Sequence, residues 1–485
     1  MELKSNHQPK SHYEKKKKVL LVFPPMGEYI PGKTWIPTES PVPPLGILYL
    51  AGPLVKAGYD VKFIDLTVDK FEESQYFRLL RDQDFVLISC YTRCLTGVNK
   101  IVEDARNNNP NVRIICGGPY CTETGRYFPG SDLTVFGEAE QIIVQLLDML
   151  SSYQSLGDFP GISFIKNGRV VRNQGNHMVK DLDSVDPPSF ALVKDKNYGF
   201  IYGLKLSGIY SILTSRGCPY QCSFCSFRGL QYRNRSISHV LKEIKSRAEE
   251  GAEYLVFHDD NFLIDRKRVS ELMDGIIDNK IKLKILLQGR AEHVDLSFYK
   301  KLKEAGVIVM VFGIESANQD VLDFYNKKIT VERMSRAIGS VNDAGIITFG
   351  NFMIGAPMER RLHFENNKRF FKCVPLDFIS VHILHYVHGT PLWNKIREKG
   401  IINPGEHCFP ADKRVSHFTR QELLEIQHDL IKSFYFDPRR ILRQTRKIIH
   451  HFGCRYNFLF FKAFLKKNLF RPPEKFFYKD WKSQV

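Results

Sequence analysis

Three cysteines in one short segment are the residues with the clearest chemical potential in this sequence. Cys218, Cys222 and Cys225 follow a Cys-x-x-x-Cys-x-x-Cys spacing, shortly after the strand-like stretch 210–215. Three thiolates on one loop can hold three corners of a cubane [4Fe-4S] cluster and leave the fourth iron without a protein ligand. The spacing therefore predicts an iron-sulfur cluster with one iron open to chemistry.

Two other interpretations of these cysteines are weaker. Structural zinc normally has four protein ligands, and the nearest further candidate, His239, lies beyond a predicted loop and helix start. A disulfide framework is disfavoured because the chain is long and its sequence gives no expectation of secretion. The cluster is the interpretation that the spacing favours.

The cysteine segment resembles the cluster loop of the radical S-adenosylmethionine (SAM) enzymes. In that family the open iron chelates the amino and carboxylate groups of SAM. Phe224, just before the third cysteine, matches the aromatic residue that the family packs near the adenine. The resemblance implies that this chain binds SAM next to its cluster.

Charge and composition limit the partners of the protein. The 485 residues are 43% hydrophobic, which is enough for two or three domains, and no apolar run approaches the roughly 20 residues that cross a bilayer. Of the net charge of +17, residues 1–18 carry +4 and residues 417–485 carry +9. A near-neutral body between basic ends argues against nucleic acid as a partner and favours peripheral contact with an anionic membrane. Ten cysteines, three of them in a cluster motif, predict a reducing, cytoplasmic location.

The first part of the chain alternates short apolar strands with helices, after a basic tail at 1–17. Such alternation predicts a doubly wound parallel sheet, an α/β Rossmann-like domain, over residues 18–150. The predicted strands are 19–23, 60–65, 85–89, 112–116 and 133–136, with helices at 45–57, 98–106 and 139–150. Ligands of these sheets bind at the carboxyl ends of the strands.

The loops at those ends are rich in glycine and other small residues. Such residues let backbone approach a bulky ligand, although ordinary tight turns would use the same residues. Spacing alone leaves both interpretations open. The residues concerned are Pro44, Leu45, Gly46, Ser89, Thr92, Gly117, Gly118, Pro119, Gly137 and Glu138.

The segments PPLGILYLA, GGP and GEAE, in this order ahead of a radical SAM core, resemble the cobalamin-binding domain of cobalamin-dependent radical SAM enzymes. The resemblance implies that these loops hold cobalamin. The wider cobalamin family often has an Asp-x-His-x-x-Gly motif whose histidine ligates cobalt, but here no histidine lies between His12 and His177. We therefore expect no lower-face histidine from this domain.

Four more cysteines, Cys90, Cys94, Cys116 and Cys121, fall near the same strand ends. They could hold a second cluster, as in the methylthiotransferases. Cysteine is also a small residue that is often buried, and their spacing fits no cluster motif, so we favour burial.

A bridging segment at 151–209 leads to the second domain. It contains a predicted hairpin, 161–165 and 169–172, with a turn at Asn167-Gly168. Alternation then resumes over 210–400 and predicts an open (β/α)6 partial TIM barrel. After the first strand at 210–215, the predicted strands are 254–258, 285–288, 307–313, 348–354 and 378–384.

Polar residues end three successive barrel strands. Solvent exposure would explain one such residue, whereas polar groups at the ends of three strands favour a ligand-binding site. The family resemblance gives them roles: an acid or amide for the methionine amino group, Arg290 for its carboxylate, and Glu315 or Ser316 for the ribose. The candidates are Asp259, Asp260, Asn261, Arg290, Glu315 and Ser316. Four histidines flank the region, and we expect them to sit in the wall rather than to transfer protons; they are His258, His382, His385 and His388.

The chain ends in a helical, basic region at 401–485. Thr419 and Glu422 form a predicted capping box, and five basic residues follow within 439–447. A later amphipathic stretch contains Phe458, Phe461 and Leu465. These helices could lie on an anionic membrane or pack on the core.

Taken together, the resemblance implies a cobalamin-dependent radical SAM enzyme. Its cluster would cleave SAM to a 5′-deoxyadenosyl radical, and a methyl group carried by cobalamin would pass to an unactivated carbon of a small or lipid-like substrate. An electron donor such as ferredoxin or flavodoxin would reduce the cluster. The alternatives are a non-methylating oxidative or ring-forming enzyme, a methylthiotransferase, and a cobalamin or redox sensor without catalysis.

Overall fold

A computed structural model describes residues 16–25, 42–196, 198–201, 204–403, 406 and 408–453. The predicted basic tail at 1–17 falls almost entirely outside this range, and so does the amphipathic stretch with Phe458, Phe461 and Leu465. Among the helices of the described residues, none is long and apolar enough to span a bilayer.

The first domain is a seven-stranded sheet with helices on both faces. Its strands are β1 (Lys18–Phe23), β2 (Asp60–Asp65), β3 (Phe85–Ser89), β4 (Arg113–Gly117), β5 (Leu133–Val135), β6 (Ile162–Lys166) and β7 (Arg169–Arg172). Its helices are α1 (Leu45–Leu48), α2 (Ala51–Lys56), α3 (Glu73–Arg81), α4 (Leu95–Asn108), α5 (Pro119–Thr124) and α6 (Ile143–Ser151). The strand order β2-β1-β3-β4-β5 is the doubly wound parallel arrangement that the sequence predicts.

Both faces of this sheet are buried, which explains its continuous apolar strands. Leu21 and Leu87 pack into one apolar cluster and Leu20 and Val86 into the other, because successive side chains of a strand point to opposite faces. The predicted helix 45–57 is instead divided into α1 and α2. Pro53 accounts for the break, since it lacks an N–H and its ring crowds the carbonyl four residues earlier.

The predicted hairpin extends the first sheet rather than standing apart from it. Strand β6 pairs antiparallel with β5, with Leu133 opposite Phe164, and β7 completes the edge. Asn167 and Gly168 both have positive φ, as a two-residue hairpin turn requires. The sheet thus reaches residue 172, whereas the predicted domain ended at 150.

The second domain is the expected open barrel. After a two-residue pair, β8 (Phe200–Ile201) and β9 (Leu204–Lys205), the chain forms β10 (Ile209–Ile212), β11 (Ser215–Arg216), β12 (Arg233–Asn234), β13 (Tyr254–Phe257), β14 (Lys284–Gly289), β15 (Val307–Glu315), β16 (Ile347–Ile354), β17 (Phe378–Ile383), β18 (His385–Val387) and β19 (Cys408–Pro410). Its helices are α7 (Ile237–Glu249), α8 (Arg266–Asp278), α9 (Leu296–Glu304), α10 (Gln319–Phe324), α11 (Val331–Asp343), α12 (Arg361–Cys373), α13 (Pro391–Glu398), α14 (Arg420–Tyr435) and α15 (Pro438–Phe452). Six parallel strands lie in the order β10-β13-β14-β15-β16-β17.

The C-terminal helices pack against the barrel. The capping box of Thr419 and Glu422 at the start of α14 is confirmed, and the Tyr435 hydroxyl at its end bonds both backbone groups of Ile379. On α15, Arg443 and Lys447 bind the fully buried carboxylate of Asp377 at 2.9 and 2.7 Å. Part of the basic charge near the end of the chain is therefore used for packing.

Candidate functional site: a cysteine loop facing a glycine-lined cavity

The cysteine loop leaves the barrel between β11 and β12, which pair with each other at its base. Gly217 begins the loop at φ +86°, and a Cβ atom there would lie 2.2 Å from the carbonyl oxygen of Gln231. Only glycine fits this close approach. The N–H of Gly217 donates to Asp260 at 2.9 Å, which fixes the start of the loop against the end of β13.

Cys218, Cys222 and Cys225 are all unpaired thiols on this loop, and Cys222 is the most buried. Within the described ranges no group of three or more His, Cys, Asp or Glu residues converges on a single ion position. Structural zinc normally has four protein ligands, whereas three cysteines on one loop can each bind a different iron of a cubane. His239, the candidate fourth zinc ligand, instead binds Asp183 at 2.9 Å.

The rest of the loop is anchored to the barrel. The Ser223 N–H and hydroxyl donate to the carbonyls of Tyr325 and Phe324, at 2.9 and 3.0 Å. The ring of Phe224 packs edge-on against Tyr325 with centroids 5.2 Å apart. These contacts hold the loop against the barrel and define the position of Phe224, the aromatic neighbour predicted for adenine.

Asp259, one of the residues predicted to bind SAM, is held in a buried hydrogen-bond network. It is fully buried, and its carboxylate accepts hydrogen bonds from Thr214 and from the hydroxyl of Ser215. Burial raises the pKa of this carboxyl. Asp259 thus ties β13 to the strand that leads into the cysteine loop, whereas Asp260 is exposed beside that loop.

Asn261 carries an unsatisfied donor at the same strand end. Its Oδ1 accepts from the backbone N–H groups of Leu263 and Arg290, both at 3.3 Å. Its Nδ2 is buried and has no partner among the described residues. A buried amide of this kind calls for a ligand or an ordered water. Asp260 and Asn261 therefore stay candidates for binding the methionine part of SAM.

The remaining predicted residues are already engaged with the protein. Glu315 pairs at 2.8 Å with Lys327, and both side chains are buried. The Ser316 hydroxyl accepts from the N–H and side-chain amide of Asn318 at 3.2 and 3.1 Å, which shapes the turn after β15. Arg290 lies beneath the cysteine loop, with Nη1 3.7 Å from the sulfur of Cys222. Sequence reasoning missed Lys327 because it is 12 residues from its partner.

One face of the barrel sheet stays open. Partly exposed residues alternate with buried ones along β16 and β17, with Asn351 opposite Ser380 and Met353 opposite His382. Ser380 donates to the Asn351 Oδ1 at 2.6 Å, and the His382 Nε2 lies 2.8 Å from the Ser380 hydroxyl. This hydrogen-bonded chain, Asn351-Ser380-His382, was not predicted as a unit.

The other histidines behave as wall residues. Burial lowers the pKa of His258 and of His385 to about 4, so both are neutral at pH 7. The His385 Nδ1 bonds the carbonyl of Ile383 at 2.9 Å, while the His388 ring packs on Trp393. These features are consistent with the expectation that they sit in the wall.

The first domain contributes a cavity of about 560 Å³ at the carboxyl ends of its strands. Predicted residues that line it are Gly46, Ser89, Gly117, Gly118, Pro119, Gly137 and Glu138. Pro44, Leu45 and Thr92 do not: Pro44 is the N-cap of α1, Leu45 is buried in the core, and Tyr91 takes the lining position beside Thr92. The lining also includes Ser226, Phe227 and Leu230, which follow Cys225 on the cysteine loop.

Apolar side chains and glycine backbone together line the cavity. A Cβ on Gly46 would meet nothing within 4 Å, while one on Gly137 would lie 2.1 Å from the His177 carbonyl oxygen. His177 enters the lining from the bridging segment, but its Nε2 is 2.8 Å from the Pro160 carbonyl. The donor set thus suits cobalamin bound without a histidine from residues 18–150.

Glu138 lines this cavity and also joins the two domains. It binds Arg233 at 2.7 Å and Arg216 at 3.3 Å, and Arg216 binds Glu140 at 2.7 Å. Burial opposes its charge, but the bonds from Arg233 and the charge of Arg216 outweigh burial and lower the Glu138 pKa. The two arginines stand on β12 and β11, the pair at the base of the cysteine loop.

The four cysteines of the first domain lie in the apolar cluster on one face of the sheet. All four are buried among apolar side chains, and burial raises the pKa of the Cys90 and Cys116 thiols. The structure therefore favours the buried, structural interpretation.

Comparison with known proteins agrees with this division. The model of the B12 binding domain matches residues 36–147, and that of the Radical SAM superfamily matches residues 212–371. An uncharacterized methyltransferase of Pyrococcus horikoshii is 29% identical over 90% of this chain and 95% of its own. The anaerobic magnesium-protoporphyrin IX monomethyl ester cyclase of Cereibacter sphaeroides is 27% identical over 88% of this chain and 72% of its own.

The fold recurs in a solved structure. The radical SAM methyltransferase TsrM from Kitasatospora setae, with tryptophan and a SAM analogue bound, superposes with a TM-score of 0.66. The match has 18% identity and covers 87% of this chain and 90% of that one.

Proposed function

Since the chain is a radical SAM enzyme that carries a B12-binding domain, we propose that it is a cobalamin-dependent methyltransferase that methylates carbon. In such an enzyme the cluster and SAM supply a carbon-centred radical, and cobalamin supplies a methyl carrier. The protein would hold the two centres near each other and shield them from water.

The observation that carries this proposal is the continuity between the two sites. Three residues within the five that follow the last cluster cysteine, Ser226, Phe227 and Leu230, line the same cavity as Gly46 and Gly117. A methyl carrier in this cavity would lie on the far side of one loop from the cluster. Methyl transfer needs the cavity and the cluster to lie close together, whereas SAM cleavage alone does not.

The open face of the barrel supports a lipid-like substrate with a polar group. Met353 and Val311 give it apolar surface, and the chain Asn351-Ser380-His382 gives one polar edge. An amphiphilic molecule could place its polar group against this edge and its unactivated carbon near the cluster loop. Peripheral contact with an anionic membrane would give access to such a substrate, and the net charge of +17 favours an acidic electron donor such as ferredoxin or flavodoxin.

The two centres can be tested separately. Gly46 has helical backbone, lines the cavity and has open space at its Cβ, so Gly46→Leu fills the cavity without backbone strain. Gly339 on α11 also has open space at its Cβ but lies outside the lining, and Gly339→Leu is the matched control.

Anaerobically reconstituted protein, with a strong reductant and SAM, should form 5′-deoxyadenosine from radical cleavage and S-adenosylhomocysteine from methyl transfer to bound cobalamin. The Gly46→Leu variant should neither bind cobalamin nor form S-adenosylhomocysteine, but it should still form 5′-deoxyadenosine. The Gly339→Leu variant should bind cobalamin and form both products. Wild-type protein that binds cobalamin yet forms no S-adenosylhomocysteine would refute methyl transfer.

Ring formation is the second candidate. The similarity to the ester cyclase of Cereibacter sphaeroides favours it, because that name denotes ring closure rather than methylation. A cyclase would form 5′-deoxyadenosine without S-adenosylhomocysteine in the same assay. The assay therefore separates the two functions before the substrate is known.

A further inference from the structure

Arg290 lies directly under the cluster loop, where it contacts one of the three cluster cysteines. Its Nη1 is 3.7 Å from the sulfur of Cys222, within hydrogen-bonding distance of sulfur. Arg290 is 6% exposed, and Cys222 is 9% exposed. The contact is thus shielded from water, where a charged hydrogen bond has its largest effect.

The protein holds this guanidinium in place on several sides. Its Nε donates to Glu292 at 3.2 Å, and its Nη2 donates to the carbonyl of Lys327. Its Cζ lies 3.9 Å from the ring centroid of Tyr220, which is itself part of the cluster loop. The Tyr220 hydroxyl donates to the other Glu292 oxygen at 2.5 Å. Arg290 is therefore fixed between the loop and the barrel.

We propose that Arg290 donates a charge-assisted N–H···S hydrogen bond to the cluster-bound thiolate of Cys222 and raises the reduction potential of the cluster. Hydrogen bonds to the sulfurs and nearby charge are main determinants of such potentials. Reduction adds one electron to the cluster and makes it more negative. A cation beside a ligand sulfur stabilises that reduced state more than the oxidised one, so it eases reduction.

This role differs from a contact with the methionine carboxylate of SAM. The guanidinium donates from Nε to Glu292, from Nη2 to the Lys327 carbonyl and from Nη1 to the Cys222 sulfur. The ring of Tyr220 covers one of its faces. The unpartnered Nδ2 of Asn261 is a better donor for an incoming ligand at this strand end. Arg290 is accordingly a positioning and tuning residue.

The test is the midpoint potential of the [4Fe-4S] cluster in the SAM-free protein, measured by a redox titration followed by electron paramagnetic resonance. Arg290→Met removes the charge and the hydrogen bond. Its reduction should become at least tenfold less favourable, which corresponds to a shift of about 59 mV to lower potential. Arg290→Lys keeps a charge but loses the planar fork, and its shift should be smaller.

Glu292→Gln should shift the midpoint potential of the cluster in the opposite direction. The amide can still accept from Arg290, but its loss of negative charge leaves the guanidinium less compensated, so the potential should rise. Damage to the fold would not produce opposite shifts in the two variants. Arg333 donates to the Glu292 carbonyl at 2.7 Å and lies on α11, outside the cysteine loop, so Arg333→Met is the matched control and should leave the potential unchanged.

Unchanged SAM-free potentials in Arg290→Lys and Glu292→Gln would overturn the proposal, even if Arg290→Met failed to retain iron. A normal SAM-free potential with weakened SAM binding would instead assign Arg290 to the methionine carboxylate. These measurements need no substrate and no methyl transfer, so their outcome is independent of the proposed function.

Discussion

The carboxylate of Glu138 in the first domain lies 2.7 Å from the guanidinium of Arg233 on β12. Strand β12 closes the base of the cysteine loop, and Glu138 also lines the cavity proposed for cobalamin. One ion pair therefore connects the wall of one cofactor site to the support of the other. The neighbouring bond of Arg216 to Glu140 makes a second connection of the same kind.

Glu138→Gln should weaken the contact between the domains. The two side chains are 22% and 10% exposed, so loss of the charge leaves Arg233 poorly compensated and should lower the free energy of unfolding by about 2 kcal/mol. Denaturant unfolding at pH 7 measures the change. Because the Glu138 pKa is lowered from 4.5, its contribution is present at neutral pH and is lost as the pH falls through the folded pKa, so the variant and wild type should converge in acid.

The control for this change is another glutamate in an ion pair. Glu271 lies 3.9 Å from Lys267, with the two side chains 49% and 89% exposed. Glu271→Gln should change stability by no more than about 0.5 kcal/mol. Equal unfolding curves for the two variants would contradict the structural role of Glu138.

Replacement of Cys218, Cys222 and Cys225 by alanine should remove the cluster. Wild-type protein reconstituted without oxygen should hold about four irons per chain, and the triple variant close to none. Formation of 5′-deoxyadenosine from SAM should disappear with the iron. Cys373 is exposed and far from this loop in sequence, so Cys373→Ala should retain both. Iron and SAM cleavage that persist in the triple variant would refute the assignment.

Cys121→Ala should leave the iron count at about four, because Cys121 is a fully buried residue of an apolar cluster. The substitution should lower the free energy of unfolding by roughly 1 kcal/mol, because it removes a small group from the core. Iron analysis and denaturant unfolding of the same sample measure both effects. A wild-type count near eight irons that falls in this variant would instead establish a second cluster.

Periodicity predicted the architecture well because parallel strands buried on both faces have a clear apolar signature. Strands β2 and β3 have the predicted bounds, and all six barrel strands lie where they were expected. The hairpin of β6 and β7 was also found from its Asn167-Gly168 turn. Its membership of the first sheet depends on pairing between Leu133 and Phe164, which local sequence does not encode.

The sequence predicted which strand ends carry the polar residues of the site, but not which side chains these residues contact. Asp259 and Asp260 are adjacent in sequence, and only the structure distinguishes the buried carboxylate that holds Thr214 from the exposed one beside the loop. Likewise, the sequence suggested a SAM carboxylate for Arg290 but not its contacts with Cys222 and Tyr220 of the cysteine loop. Side-chain direction after a strand depends on the turn that follows, which pattern alone does not determine.

Glu359 should make the protein less stable as the pH rises. It is fully buried just after β16, where its Oε2 accepts from the N–H groups of Gly355 and Ala356 at 2.5 and 2.8 Å. Burial, opposed by these two bonds, raises its pKa from 4.5 to about 8. Between these values the folded protein keeps a proton that the unfolded chain releases, so the free energy of unfolding falls by up to about 1.4 kcal/mol per pH unit.

Glu359→Gln mimics the protonated carboxyl and should remove this slope. Denaturant unfolding at pH 5, 6, 7 and 8 should show wild-type stability declining relative to the variant, with the largest difference at pH 8. Glu332 on α11 has an 83% exposed side chain, so Glu332→Gln should keep the wild-type slope. Parallel curves for wild type and Glu359→Gln would contradict the raised pKa, because they would mean that Glu359 is already ionised in the folded protein.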